Sequence, residues 1–203
     1  KTSINSISLD LMNNLSVTEV KQRSSVLAKQ HLNNVLTINL PASLGAGTLD
    51  SLSITYQGSP GPNTGFGAFI NNTHNGVAGM WTLSEPYGSR EWWPCKNGLD
   101  DKADSVDVFV THPSMYKASS NGLLKSETVL GGGKTRTYWK HRYPIVSYLV
   151  CLAVTNYSVF SVNVQLGNIY LPIQTFAYPE SLTAFQQGTL NTLFAMALFH
   201  QKF

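Results

Sequence analysis

The sequence contains few cysteines, few charged residues and no long apolar run, and each shortage excludes a class of protein. Only two of its 203 residues are cysteine, which is too few for a disulfide-bonded scaffold. The formal net charge of +3 is too small, and the lysines and arginines are too dispersed, for a surface that binds nucleic acid. No stretch reaches the roughly 18 apolar residues that a membrane-spanning helix requires.

Local motifs for metal binding and nucleophilic catalysis are also missing. No two histidines lie four residues apart and none precedes a glutamate, so there is no H-E-x-x-H; they are His31, His74, His112, His141 and His200. Each histidine is therefore expected to be a solvated loop or strand-edge residue. No nucleophile elbow is present. The acidic segment 100–104 lacks the glycine and the distal glutamate of an EF-hand, so we expect a solvated loop there.

The residues that are present are typical of a β-rich globular chain. Hydrophobic residues make up 42% of the sequence, and its 16 glycines and nine prolines supply many turns. Apolar and polar residues alternate, as in half-buried strands, around 7–11, 36–40, 52–56 and 106–110. The segments 58–65 and 71–75 are expected to be a long turn and a loop.

Later segments predict two hairpins, one central strand and one helix. Residues 127–130 and 134–142 flank three glycines, and a pair of strands within 160–177 turns at Gly167 and Asn168. The apolar run 146–154 predicts a central strand buried on both faces. Cys151 lies in this run, which favours burial as a free thiol, although pairing with Cys95 stays open. The last apolar residues follow helical spacing: Leu182, Phe185, Leu190, Leu193, Phe194, Ala197 and Leu198.

The most unusual stretch runs from Trp81 to Cys95 and contains three of the four tryptophans. Pro86 and Pro94 each remove a backbone donor, so strand pairing should stop at both. The pattern predicts a strand that ends near Ser84, then a tight turn over 87–89, then extended chain again at Trp93. Aromatic residues beside carboxylates occur both at binding rims and at packed corners, and packing is the more common case.

This stretch resembles the signature of the N-terminal domain of the aminopeptidase N family of zinc metallopeptidases, T-Q-x-[EQ]-[AP]-x-x-A-R-x-x-[FW]-P-C-x-D. The sequence departs from it at Leu83, Ser89 and Asn97, and it matches at Thr82, Glu85, Pro86, Arg90, Trp93, Pro94 and Cys95. Two further blocks follow in the family's order: 119–122 is similar to its V-S-N-G turn, and 143–157 to its P-M-S-T-Y-L-V strand. Phe66 and Phe69 stand where the family has an aromatic approach to the signature.

The resemblance implies a mainly β fold, a twisted antiparallel or mixed multi-sheet sandwich of saddle-like shape with one C-terminal helix. Residues 1–178 would form the N-terminal β domain, truncated at its start. Residues 179–203 would be a linker and the first helix of a catalytic domain that lies outside this sequence. Zinc would belong to that domain, which would be the partner of this one. We therefore expect no zinc site and no peptidase activity in these 203 residues.

The resemblance also implies roles for individual residues of the signature. In the family, the residue at the position of Glu85 reaches the catalytic cleft and holds the free α-amino group of a peptide substrate. An α-amino group has a pKa of about 8, so it is mostly cationic at neutral pH and attracts a carboxylate. Leu83 replaces a polar residue near the substrate and implies an altered first pocket. Arg90 is expected to pair with a carboxylate, and Trp92 and Trp93 to pack the corner.

Two other functions remain open from the sequence. A non-catalytic relative could use the same architecture as a scaffold for protein interactions. A free-standing carbohydrate-binding sandwich could use Trp81, Trp92 or Trp93 as a stacking platform, although the helix after Pro179 argues against a free-standing module. The low charge and a first residue other than methionine favour an exported protein.

Overall fold

The computed structural model describes residues 3–61 and 67–203, and these residues form a mainly β fold with one C-terminal helix, as predicted. All strand pairs are antiparallel. Phe66 and the second half of the turn predicted at 58–65 lie outside the described residues.

The first third of the chain folds into two three-stranded sheets, ordered β1-β5-β4 and β3-β2-β6. Their strands are β1 (Ile4–Asp10), β2 (Leu15–Gln22), β3 (Ser25–Val26), β4 (Lys29–Leu32), β5 (Val35–Leu44) and β6 (Leu52–Gly58). The alternating residues predicted as strands therefore do form strands. Their apolar sides meet in a core of Val20, Leu27, Leu36, Ile38 and Leu40.

The rest of the β region contains a four-stranded sheet, a three-stranded sheet and two pairs. The four-stranded sheet has the order β11-β15-β8-β7 and the three-stranded sheet the order β10-β13-β12. The strands are β7 (Phe69–His74), β8 (Val77–Thr82), β9 (Lys102–Ala103), β10 (Val106–Pro113), β11 (Lys117–Ser120), β12 (Leu123–Gly131), β13 (Lys134–His141), β14 (Ile145–Val146), β15 (Leu152–Thr155), β16 (Ser158–Leu166) and β17 (Ile169–Ala177). Strands β9 and β14 form one pair, and β16 and β17 the other.

The loop predicted at 71–75 is wrong, because strand β7 runs through it to His74. The chain then reverses in a two-residue turn, Asn75 and Gly76, with φ of 49° and 77°. Both residues tolerate the left-handed region, so this short turn joins β7 to β8 without splaying the strands. The asparagines that suggested a loop lie on an exposed edge strand, where polar side chains remain in water.

The central strand predicted at 146–154 is also wrong. A 3-10 helix, Ser147–Leu149, separates β14 from β15, and buried positions fall at Val146, Val150 and Val154. The run is apolar, but periodicity alone cannot distinguish a buried strand from a compact turn. As a result Cys151 is an exposed free thiol, which corrects the predicted burial, whereas Cys95 is a buried free thiol.

The prediction that every histidine is solvated fails at His112. Its ring is 5% exposed and bonds through Nε2 to the Thr137 hydroxyl at 2.8 Å. Thr137, on the adjacent strand β13, supplies a polar partner, so the ring can be buried without losing its hydrogen bond.

The predicted helix is confirmed as α1 (Leu182–Lys202), which follows a 3-10 helix at Pro179–Ser181. One face of α1 packs on β16 and β17, where Thr189 is buried and its hydroxyl lies 3.1 Å from the Thr175 hydroxyl. Apolar side chains remain exposed elsewhere along the helix: Phe185, Leu190, Phe194, Leu198 and Phe199. In the described part of the chain, no helix has the length and apolar character needed to cross a membrane.

Candidate functional site

The signature stretch forms a compact loop that begins where β8 ends, at Thr82. The Leu83 N–H donates to the Ala68 carbonyl at 3.1 Å, and the Gly88 N–H donates to the Ser84 carbonyl at 2.8 Å. The peptide bond between Glu85 and Pro86 is cis. The strand therefore ends close to the predicted Ser84, but the predicted turn at 87–89 leads into a short 3-10 helix, Ser89–Glu91.

Backbone contacts hold the far end of this loop against the end of β1. Asp10 and Cys95 form an isolated antiparallel bridge, and the Met12 N–H donates to the Arg90 carbonyl at 2.8 Å. Asn97 adds two bonds: its backbone N–H donates to an Asp10 carboxylate oxygen at 3.2 Å, and its side-chain amide donates to the Tyr87 carbonyl at 2.7 Å. The loop is thus fixed at both ends and across its middle.

Tryptophan side chains fill the inner side of the loop. Trp92 Nε1 donates to the Ser84 hydroxyl at 2.9 Å, and the Tyr56 hydroxyl donates to the Trp92 carbonyl at 2.9 Å. The Trp92 ring lies 6.4 Å from the Phe69 ring and 5.9 Å from the Trp93 ring, centroid to centroid. Trp81, Trp92 and Trp93 are all half-buried.

Glu91 is a buried acidic residue that the sequence did not single out. It is 2% exposed, and its carboxylate accepts the Ala68 N–H at 3.3 Å. This bond links the 3-10 helix to the segment before β7, on the inner side of the loop. The position of Glu91 between Arg90 and two tryptophans was a usable signal, because an acid in an aromatic cluster is a candidate for burial with a partner.

Glu85 and Leu83 lie on the opposite, outer side of the loop. Both side chains are exposed, Leu83 by 44%. Within residues 3–61 and 67–203, no hydrogen bond or ion pair engages the Glu85 carboxylate. Buried anchors therefore support an exposed acid and an exposed apolar side chain two positions apart.

The other signature residues serve the framework of the loop. The expected ion pair of Arg90 does not occur among the described residues, and Arg90 instead contributes its backbone carbonyl. Cys95 is 3% exposed, and burial, followed by the nearby Asp10 charge, raises the pKa of its thiol to about 12. Such a thiol stays protonated at neutral pH and is a poor nucleophile.

Glu85 does not line the cavity beside the signature loop, and it belongs to no metal-binding cluster among the described residues. An open cavity of about 330 Å³ adjoins Trp93, Pro94 and Cys95, and its walls do not include Leu83 or Glu85. Across the described ranges, no group of three histidine, cysteine, aspartate or glutamate side chains is placed to hold a metal ion. These residues therefore do not fit a zinc site.

Comparison with known proteins agrees with the resemblance in the sequence. A family model described as the Peptidase M1 N-terminal domain matches residues 1–149. The glutamyl aminopeptidase of Homo sapiens is 32% identical over 99 residues, which are 49% of this chain and 10% of that protein. This chain therefore spans only a small part of that relative.

Solved structures show the same fold. An M1 zinc metallopeptidase mutant from Deinococcus radiodurans, bound to a Tyr-Ser-Ala substrate, superposes with a TM-score of 0.75 and 24% identity over 91% of this chain and 44% of that one. A two-domain M1 zinc metallopeptidase mutant bound to L-arginine gives a TM-score of 0.76 at 23% identity, with the same coverage. At these identities the likeness establishes the fold alone.

Proposed function

The chain belongs to the family of Peptidase M1 N-terminal domains, and from this premise we propose that it is the β domain of a zinc aminopeptidase. In this proposal Glu85 binds the free α-amino group of a peptide substrate. The observation that carries it is the exposed Glu85 carboxylate, free of partners within the described residues, on a loop that buried contacts hold in place.

The chemistry of the substrate explains why a carboxylate is useful at this position. An α-amino group with a pKa of about 8 is mostly cationic at neutral pH, and a carboxylate accepts a charge-assisted hydrogen bond from it. Removing bulk water when the cleft closes strengthens this bond. Because only the first residue of a peptide has a free α-amino group, the contact selects the chain end and makes the enzyme an exopeptidase.

The rigidity of the loop supports this role. A binding group must keep its position to within a fraction of an ångström for the contact to help the reaction. The bond from Trp92 to Ser84 lies directly behind Glu85, and the bond from Gly88 to Ser84 closes the turn around it. The loop therefore does not need to become ordered when the substrate binds, which lowers the entropic cost of binding.

Leu83 is the second residue that we propose to meet the substrate. Its side chain is exposed two positions before Glu85. Where the family signature has a polar residue, Leu83 would supply an apolar edge to the pocket for the first side chain. Substrates with an apolar first residue would then be favoured over acidic ones, since an acid would lose hydration against leucine without gaining a partner.

The catalytic domain is the proposed partner, and it would belong to the same polypeptide. The described residues offer no metal-binding cluster, so the zinc would be held by that domain and no catalytic step is assigned to residues of this chain. The exposed apolar residues of α1, among them Phe194 at 75% exposure, would be covered by it. By itself, the 203-residue chain is proposed to be inactive.

The test compares Glu85→Ala and Glu85→Gln in the full-length protein, using an aminoacyl chromogenic substrate and a zinc assay. We expect about one zinc per molecule in each protein and a fall in kcat/KM of about 10- to 100-fold for Glu85→Ala, since a hydrogen bond to a charged group contributes about 1.5–3 kcal/mol. Glu127→Gln, which alters an exposed glutamate on β12, is the matched control. If Glu85→Ala left kcat/KM unchanged, the proposed contact with the substrate amine would be wrong. If the full-length protein had neither zinc nor activity, the scaffold function would be favoured instead.

A further inference from the structure

The turn between β7 and β8 contacts the segment that leads into α1. His74 Nε2 lies within hydrogen-bond distance of Glu180 Oε1, and the Asn75 side-chain amide donates to the same oxygen at 3.0 Å. The His74 ring also stacks on the Tyr178 ring, with centroids 3.6 Å apart and planes inclined by 15°. The last residue of β7 and the first residue of the turn thus bind two residues about 105 positions later in the chain.

Each side of this contact leads to a functionally important part of the molecule. From the turn, β8 runs about 20 Å, at 3.3 Å per residue, to Thr82, and Leu83 and Glu85 follow in the loop after it. On the other side, Glu180 lies in the 3-10 helix that precedes α1, and Tyr178 lies just before it. The β7–β8 hairpin therefore connects the loop that carries Glu85, the proposed substrate-binding acid, with the segment that leads into α1.

We propose that His74, Asn75, Tyr178 and Glu180 form a latch that sets the direction in which α1 leaves the β domain, and thereby positions the next domain relative to Glu85. His74 and Glu180 are positioning residues and do not touch the substrate. The inference rests on the proposed function, because its consequence for catalysis is exerted through Glu85.

Several observations distinguish this contact from an ordinary surface ion pair. Six pairs of facing residues join β7 to β8 and hold the turn in place. Asn75 and Gly76 adopt the left-handed conformations that a two-residue turn needs. Glu180 accepts from two donors, and the ring stack adds a contact that does not depend on charge. The hydrogen bond from His74 also holds the pKa of the Glu180 carboxyl below its ordinary value.

The far side of the latch is fixed as well. Tyr178 lies 5.7 Å from the Tyr157 ring, and Tyr157 packs edge-on against Phe176, the residue before the end of β17. The Ser181 N–H donates to the Tyr178 carbonyl at 2.9 Å. Removal of the Glu180 carboxylate should therefore loosen the segment around residue 180 locally and leave the sheets intact, because the packing of Tyr178 and of α1 does not involve that carboxylate.

The first experiment measures hydrogen exchange in the full-length protein. Glu180→Ala is expected to speed exchange of the amides of residues 180–186 about fivefold, and to leave those of β7 and β8 unchanged. Glu180→Gln keeps an oxygen acceptor and should restore most of the protection. Glu127→Ala breaks a comparable exposed pair with Lys117 and is the control. Unchanged exchange at 180–186 in Glu180→Ala would overturn the latch.

The second experiment is a double-mutant cycle on kcat/KM. Glu180→Ala alone is expected to lower kcat/KM about 3- to 10-fold, mainly through KM, because the substrate amine no longer meets Glu85 at the right distance. In a Glu85→Ala background the same change should have no further effect. An equal loss in both backgrounds would overturn the positioning role.

The failure of the proposed function would be recognisable separately. If Glu85→Ala alone left kcat/KM unchanged, the proposed contact with the substrate amine would be wrong. The proposal that the latch positions Glu85 for catalysis would then be wrong as well. The exchange measurement would still decide whether the four residues hold the exit of the chain, because it does not depend on activity.

Discussion

Asp10 and Cys95 face each other across an isolated antiparallel bridge, with the Asp10 N–H donating to the Cys95 carbonyl at 2.8 Å and the Cys95 N–H to the Asp10 carbonyl at 3.1 Å. The residues are 85 positions apart, yet this bridge attaches the end of the signature loop to the end of β1. Cys95 consequently lies inside the protein with the Asp10 charge nearby, and both raise the pKa of its thiol.

The two free thiols should differ in reactivity. At pH 8 in native protein, a disulfide reagent is expected to modify the exposed Cys151 at least about 10²-fold faster than the buried Cys95, whose pKa of about 12 leaves little thiolate. Although Cys151 is exposed, neighbouring groups partly desolvate its sulfur and raise the pKa of its thiol, so its labelling should be slower than that of a free thiol in solution. Cys151→Ser isolates the signal of Cys95, and in urea Cys95 should react fully. Rapid labelling of Cys95 in native protein would contradict this.

Two glycine-to-alanine changes should act in opposite directions on stability. A Cβ at Gly88 would lie 2.7 Å from the Ala68 Cβ and 3.1 Å from the Ser84 Cα, so Gly88→Ala should lower the free energy of unfolding by about 1–3 kcal/mol. A Cβ at Gly188, within α1, meets nothing within 4 Å, so Gly188→Ala should raise that free energy by up to about 1 kcal/mol. Urea titration measures both. Equal effects of the two substitutions would show that the space at Gly88 is not limiting.

A pH-dependent contribution to stability should come from Asp107. Hydrogen bonds from Arg142 and from the Tyr138 hydroxyl lower the pKa of its carboxyl below the ordinary 3.8. A lowered folded-state pKa gives stability that is present above pH 3.8 and is lost as the pH falls through the lowered value. Asp107→Asn should therefore flatten the decline of the urea midpoint below pH 4. If the urea midpoint of this variant declined below pH 4 as steeply as that of the unmodified protein, the decline would be due to other carboxylates.

Much of the fold follows from patterns that act over a few residues. Alternation around 36–40 and 106–110 predicted strands, and helical spacing after Pro179 predicted α1, because each element places the apolar residues of a regular repeat on one face. The predictions failed where the pattern was ambiguous. The apolar run 146–154 contains a 3-10 helix, and the asparagine-rich segment 71–75 is mostly an edge strand.

The candidate site was predictable as a stretch but not as a geometry. The residues from Thr82 to Cys95 carried the family resemblance, which the family match over 1–149 confirms. The aromatic neighbours of Glu91 marked it as a candidate for burial, but the order of residues did not show which backbone group it would meet, or that Glu85, six positions before it, is exposed. That difference depends on the 3-10 helix that turns Glu91 inward, toward the Ala68 N–H.

The sequence by itself determined the fold class, the terminal helix and the family, because periodicity and short motifs are properties of neighbouring residues. Only the tertiary structure decided which residues meet: Asp10 and Cys95 through their backbones, Trp92 and Ser84 within the signature loop, and His74 and Glu180 through their side chains. The physical reason is that a hydrogen bond or a ring stack requires atoms to meet within a few ångströms. For residues such as His74 and Glu180, 106 positions apart, that meeting is set by how the sheets pack.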